Sequence, residues 1–302
     1  MRYLGMVMGS GKKHFGIAVA ATSLAAGVFW FAANTPRLAS AAAPDTSGRI
    51  AGKPDLNGIW EANNTANWDL QTHPARPMVA QPGLLSNSVV LAAPVVALGS
   101  LGWVPGGLGV VEGEEIPYKP WAAARKNENL EHWIDRDPEI KCFQPGVPRA
   151  MYMPHPFQIV QSNTKIQMIF EYANAQRTIH LTKMESYPNV LWMGYSVGHW
   201  EGDTLVVDVS NFTDGTWFDR SGNFHSDAMH LTERYTLAGK DVIHYEATID
   251  DPQVFTRPWK ISMPLYRRVE KDARLLDFKC VEFSEEFMYG HLRRGATQNP
   301  GK

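Results

Sequence analysis

Between Thr213 and His230 the chain places Trp217, Asp219, Arg220, His225, Asp227 and His230 within a few residues of one another. Those residue types together suit proton transfer. Histidine both accepts and releases a proton near neutral pH. Asp219 or Asp227 could orient and polarise His225, as a carboxylate does for the imidazole of acyl-transfer enzymes. Arg220, or Arg177 earlier in the chain, carries the planar fork that holds a carboxylate or oxyanion through two bonds. Trp217 offers a face on which a substrate could stack. Neither cysteine is expected to be a free nucleophile, which disfavours covalent catalysis by a thiol. The expected chemistry is therefore elimination, hydration, isomerisation or cyclisation by a cofactor-independent lyase or isomerase, with His225 as base. The competing expectation is that Asp219, Arg220 and His225 form a hydrogen-bond cluster that only pins a long loop.

A metal reading of His225, Asp227 and His230 meets a geometric objection. On a strand, positions 225 and 227 share a face and 230 lies opposite; on a helix, 225 and 230 are more than a turn apart. Neither arrangement gives the pair on one face that zinc sites use. No metal is expected, and a loop converging these residues with His199 is the remaining alternative. A second polar group, Glu171, Tyr172 and Arg177, flanks the tight turn of EYANAQR. Glu171 could be an acid of raised pKa on an apolar strand, or it could pair with Arg177 across the hairpin. With Trp217, Arg220 and His230 these residues make up the expected substrate-binding set.

The elements that must position these groups read as β-structure. After Met153, candidate strands run at Phe157–Gln161, Lys165–Tyr172, Arg177–Thr182, Val190–His199, Thr204–Val209, Met229–Leu237, Val242–Ile249, Lys260–Arg268 and Leu275–Phe283. Turn signals such as Glu201-Gly202-Asp203 and Ala238-Gly239 separate them. Short strands with no helices between them imply an antiparallel meander. Pro54–Glu61 adds an opening strand. Lys119–Arg136 reads as one helix with Trp121, Ala124, Leu130 and Trp133 on its apolar side. From Arg76 to Glu112 the sequence has no charge between its ends; the apolar segment 77–111 is expected to wrap over the core as a lid.

Gly58-Ile59-Trp60 resembles the first-strand signature of lipocalins and related calycin barrels. In that family the tryptophan closes one barrel end and an arginine of the last strand covers it. Arg267 or Arg268 is the match here. The resemblance implies a calycin-like antiparallel β-barrel with an N-terminal loop-and-helix extension. The stretches CFQPGVPRAMYMPHPFQIVQ, GHWEGDTLVVDVSNF and FHSDAMHLTERY are similar to a widespread family of exported bacterial proteins. That similarity implies an exported β-rich domain and carries over no catalytic residue.

A length of 302 residues with a net charge of -2 suits a globular chain and offers no basic footprint for nucleic acid. Lys12, Lys13 and His14 precede the apolar run Phe15–Ala33 and a small-residue stretch ending near Ala43. This is the pattern of a secretory signal, with cleavage expected near Ala41. The expected layout is a signal over 1–41, a disordered lead-in over 42–53, a barrel domain over 54–290 covered by 77–136, and a flexible tail over 291–302. The location is then periplasmic or secreted, with no stable membrane span after cleavage. In that compartment the two cysteines, Cys142 and Cys280, favour a disulfide. The expected partner is a small-molecule ligand or substrate. A non-catalytic carrier of a hydrophobic ligand is the alternative to an enzyme. The oligomeric state is not legible.

Overall fold

A computed structural model describes residues 48–77, 80–82, 89–91, 103–113, 115–182 and 189–289. The expected signal, much of the uncharged segment 77–111 and the tail from 290 lie outside the described residues.

Nine strands close into a barrel. In chain order they are β1 (Gly58–Ala62), β2 (Phe157–Gln161), β3 (Lys165–Phe170), β4 (Gln176–His180) and β5 (Tyr195–Glu201). The others are β6 (Thr204–Ser210), β7 (His230–Gly239), β8 (Val242–Asp250) and β9 (Trp259–Arg267). The meander runs β4 to β9, then through β1, β2 and β3 back to β4. The calycin-like barrel expected from the sequence is therefore the fold. One pair departs from the antiparallel rule: β4 and β5 run parallel, with Ile179 opposite Ser196. The parity of the ring requires this, because an odd number of strands cannot close with every neighbour antiparallel.

Period-two alternation decides what faces inward. On β7, Leu231, Glu233 and Tyr235 are buried while their neighbours are less so. On β8 the buried set is Ile243, Tyr245, Ala247 and Ile249, and on β9 it is Trp259, Ile261, Met263 and Leu265. Burying each large apolar side chain contributes about 1.5–3 kcal/mol.

The two barrel ends differ. At one end the connections are tight: 162–164, Gly202-Asp203 and Lys240-Asp241. Trp60, fully buried, lies beneath the Arg267 guanidinium at 4.2 Å and donates its indole N–H to Leu56 O at 2.9 Å. Of the two arginines, Arg267 is thus the one that covers the tryptophan. Its Nη1 donates to Asn57 O. Gly58 has φ of +140°, and a Cβ there would collide with Nη1 of Arg267. The Gly-x-Trp spacing is needed because arginine and tryptophan share that corner.

The long connections lie at the other end. Residues 211–229 join β6 to β7, and the 63–156 extension joins β1 to β2. Among its described residues the extension holds two α-helices, α1 (Pro120–Glu131) and α2 (Trp133–Arg136), broken at His132. The expected single helix is therefore split. Its inward face also differs from expectation: Ala122 and Asn129 are buried, whereas Trp121 is 55% exposed. The reason is a close approach by Gly222, whose Cβ would stand 2.7 Å from Asn129 Cβ and Lys126 O. Only a glycine and a short face fit there.

The expected strand Leu275–Phe283 is irregular, and a short helix α3 (Ser284–Tyr289) follows it. Its alternation of apolar and polar residues imitates a strand. However, β9 already pairs with β1, so the ring has no edge left to receive it. This segment instead runs outside the barrel as a strap. The disulfide Cys142–Cys280, with a Cα separation of 5.8 Å, ties it down. The expected lead-in disorder does not extend over 48–53, where Arg49–Ile50 pairs with Lys53–Pro54 and Arg49 bonds Asp203.

Candidate functional site

The loop that holds the expected site is part of the cover over the long-loop end. Asp219 is fully buried and accepts bonds from the backbone N–H of Leu70 (2.8 Å), Ser221 (2.9 Å) and Asn223 (3.2 Å) and from the Asn223 amide (2.5 Å). Those donors favour the charged carboxylate. Burial and the nearby Asp69 charge outweigh them and hold Asp219 up at about 7. It ties the 213–230 loop to the start of the extension and does not contact His225.

His225 is also buried, at 3% exposure. Its Nδ1 lies 2.9 Å from Ser226 O and its Nε2 2.7 Å from Thr216 Oγ1. A carbonyl accepts only from N–H, so Nδ1 carries the proton and Nε2 accepts from the threonine. Burial lowers the imidazole's pKa, consistent with this neutral tautomer. Phe212 and Phe218 pack against the ring. The expected carboxylate orienter is absent: Asp227 is exposed, as is His230, which faces Asp208 at 4.0 Å. Trp217 is buried and bridges to Phe224.

Arg220 belongs to a third group. It forms a fork with Glu139 (2.7 and 3.0 Å) and another with Glu285 (3.1 Å each). Arg149 forks onto Asp137 (2.8 and 3.0 Å) and reaches Glu139 at 2.6 Å. Although burial pushes Glu139 up, the Arg220 and Arg149 charges pull it down to about 2. Tyr172 donates to Glu139 O at 2.6 Å. Glu171 accepts from Leu276 N (2.8 Å) and lies 3.3 Å from His155 Nδ1. These groups join the strap, the extension and the loop. Glu171 does not pair with Arg177, because it lies beyond the end of β3 whereas the pleat turns Arg177 inward.

Arg177 stands inside the barrel. It binds both oxygens of Glu233, donates Nε to Ser196 Oγ at 2.8 Å, and lies 3.3 Å from Tyr235 Oη. Tyr235 and Tyr245 donate to Glu233 Oε1 at 2.9 and 2.8 Å. All five side chains are at most 3% exposed. Met151, from the extension, closes this node from above, with its sulfur 3.7 Å from Tyr235 Oη. Sequence reading singled out Arg177 but missed Glu233, Tyr235 and Tyr245. Alternation on β7 would have placed Glu233 between Leu231 and Tyr235 on the inner face.

Among the described residues, no group of three or more His, Cys, Asp or Glu side chains is placed to hold a metal ion, and no helix is long and apolar enough to cross a membrane. The fold and this end-on arrangement define a calycin-like closed β-barrel with its long connections gathered at one end. Comparison with family models and with curated proteins returned no match.

Proposed function

We propose that this chain is an exported, carrier-type barrel that binds a small, partly apolar molecule bearing a carboxyl, carbonyl or hydroxyl group. The observation that carries this reading is the Arg177–Glu233–Tyr235–Tyr245 node at mid-barrel. It lies in an otherwise apolar interior, between an end sealed by Trp60 and Arg267 and an end covered by long loops. Barrels of about eight strands are wide enough to hold one small ligand. One N–H of Arg177 Nη2 has no partner among the described residues, and Tyr245 Oη keeps its acceptor lone pairs. A ligand's polar group would take those positions after Met151 moves. Export rests on the N-terminal charge and apolar run, and the disulfide is compatible with it.

The test is titration of the purified chain with octanoate and octanol, followed by tryptophan fluorescence and native mass spectrometry. Saturable one-to-one binding is expected, weakened roughly tenfold by Tyr245→Phe and abolished by Met151→Trp. Absence of saturable binding by either probe would sink the carrier reading.

Proton-transfer catalysis as a lyase or isomerase is the second reading. It is favoured by one observation, a neutral His225 whose unprotonated nitrogen, Nε2, is the one that accepts from the Thr216 hydroxyl. A His225→Ala variant separates the two: an enzyme loses turnover with binding kept, whereas a carrier keeps its cargo.

A further inference from the structure

The barrel wall is incomplete at one seam. Strands β1 and β9 pair only through Ala62–Leu265, Glu61–Tyr266 and Trp60–Arg267. Higher on β9 a different segment takes over: Ser262 N donates to Val110 O and Glu112 N donates to Lys260 O, both at 2.9 Å. Met263 and Pro264 lie between these two partners. The N–H groups of Ser262 and Arg268 both point to the β1 side, so position 264 would point there too. Proline has no N–H, and it occupies the one rung where the ladder offers no acceptor.

The notch so formed is a cavity of about 400 Å³, within the size range of small-molecule sites. No ionisable side chain lines it. Asn63, Thr65 and Ser262 line it, and their side chains have no hydrogen-bond partner among the described residues. Asn64 is already engaged, accepting from Ala66 N at 3.0 Å and donating to Met263 Sδ at 3.2 Å. Gly107 is required here because a side chain would displace the Thr65 hydroxyl. Leu108, 91% exposed, forms an apolar lip.

We infer that this seam binds an uncharged molecule with hydroxyl or carbonyl groups on an apolar body. Three free neutral polar groups can satisfy such groups, and the apolar wall covers the rest. A charged ligand would lose hydration and find no counter-charge in the lining. The lining shares no residue with the Arg177–Glu233–Tyr235–Tyr245 node, although Met263 also belongs to the inward face of β9, so the inference does not rest on the carrier reading.

The test uses the full chain, isotope-labelled, titrated with cyclohexanol and in parallel with cyclohexanecarboxylate, and followed by NMR. Cyclohexanol is expected to shift the Asn63 side-chain amide and the backbone amides of Gly106–Val110. Asn63→Ala, an exposed position that the fold tolerates, and the shape-preserving Thr65→Val are each expected to weaken that binding roughly five- to tenfold. The inference is overturned by equal binding of the carboxylate, by no shift at millimolar probe, or by unchanged affinity in both variants. Shifts confined to Tyr235 and Tyr245 would overturn it while supporting the barrel-interior reading.

Discussion

Asp219 is a carboxyl with no solvent to share its charge. In the unfolded chain it loses its proton near 3.8, whereas in the fold it holds the proton up to about 7. Between those values the folded state binds more protons, so its contribution to stability is complete below about 3.8 and is lost as pH rises through about 7. Glu139 works in the opposite direction, with stability present above 4.5 and lost as pH falls toward about 2. Asp219→Asn, which resembles the neutral acid in shape, should remove the first slope. We expect the wild type to lose thermal stability relative to this variant between about pH 4 and about pH 7. A difference in melting temperature that stays constant across that range would refute the assignment. The types of Asp219, Arg220 and His225 were legible as a polar cluster. Their partners were not, because Leu70, Glu139 and Glu285 reach them from remote segments.

At the scale of elements, the strands were the most legible part. Alternation marks one face of each, and the Glu201-Gly202-Asp203 turn fixes the β5–β6 register, with Glu201 opposite Thr204. The Gly58–Trp60–Arg267 corner was legible through the resemblance to lipocalins, up to the choice between Arg267 and Arg268. Gly58→Ala tests that corner. The methyl group meets Arg267 Nη1 at a φ of +140°, and strained backbone of this kind costs about 1–3 kcal/mol. A lower denaturant midpoint is expected; an unchanged midpoint would show that Arg267 moves aside freely. The failures have equally local causes. Leu275–Phe283 alternates like a strand but meets a closed ring, and α1 turns its small face inward because Gly222 packs against it.

Across the whole molecule, the strap is the element whose place depends on long-range links. Cys142 and Cys280 lie 138 residues apart, and cross-linking so long a loop contributes about 2–5 kcal/mol. The Arg220–Glu285 and Glu171–Leu276 contacts hold the same strap. Replacing both cysteines with serine should lower the denaturant midpoint and speed hydrogen exchange at the Leu276 amide, while β7 and β8 stay protected. Unchanged exchange at Leu276 would show that the polar contacts alone hold the strap.

The sequence by itself determined the alternating strands, their turns, the Gly-x-Trp start and the pairing of its only two cysteines, because each depends on local periodicity or on having one possible partner. Only the tertiary structure decided which polar residues share a cluster. Ring closure at an odd strand number imposed one parallel pair, the shared interior brought Arg177 to Glu233, and the short ladder between β1 and β9 left a seam. Charge pairing and cavity shape arise from segments that are distant in sequence, so no spacing rule along the chain reports them.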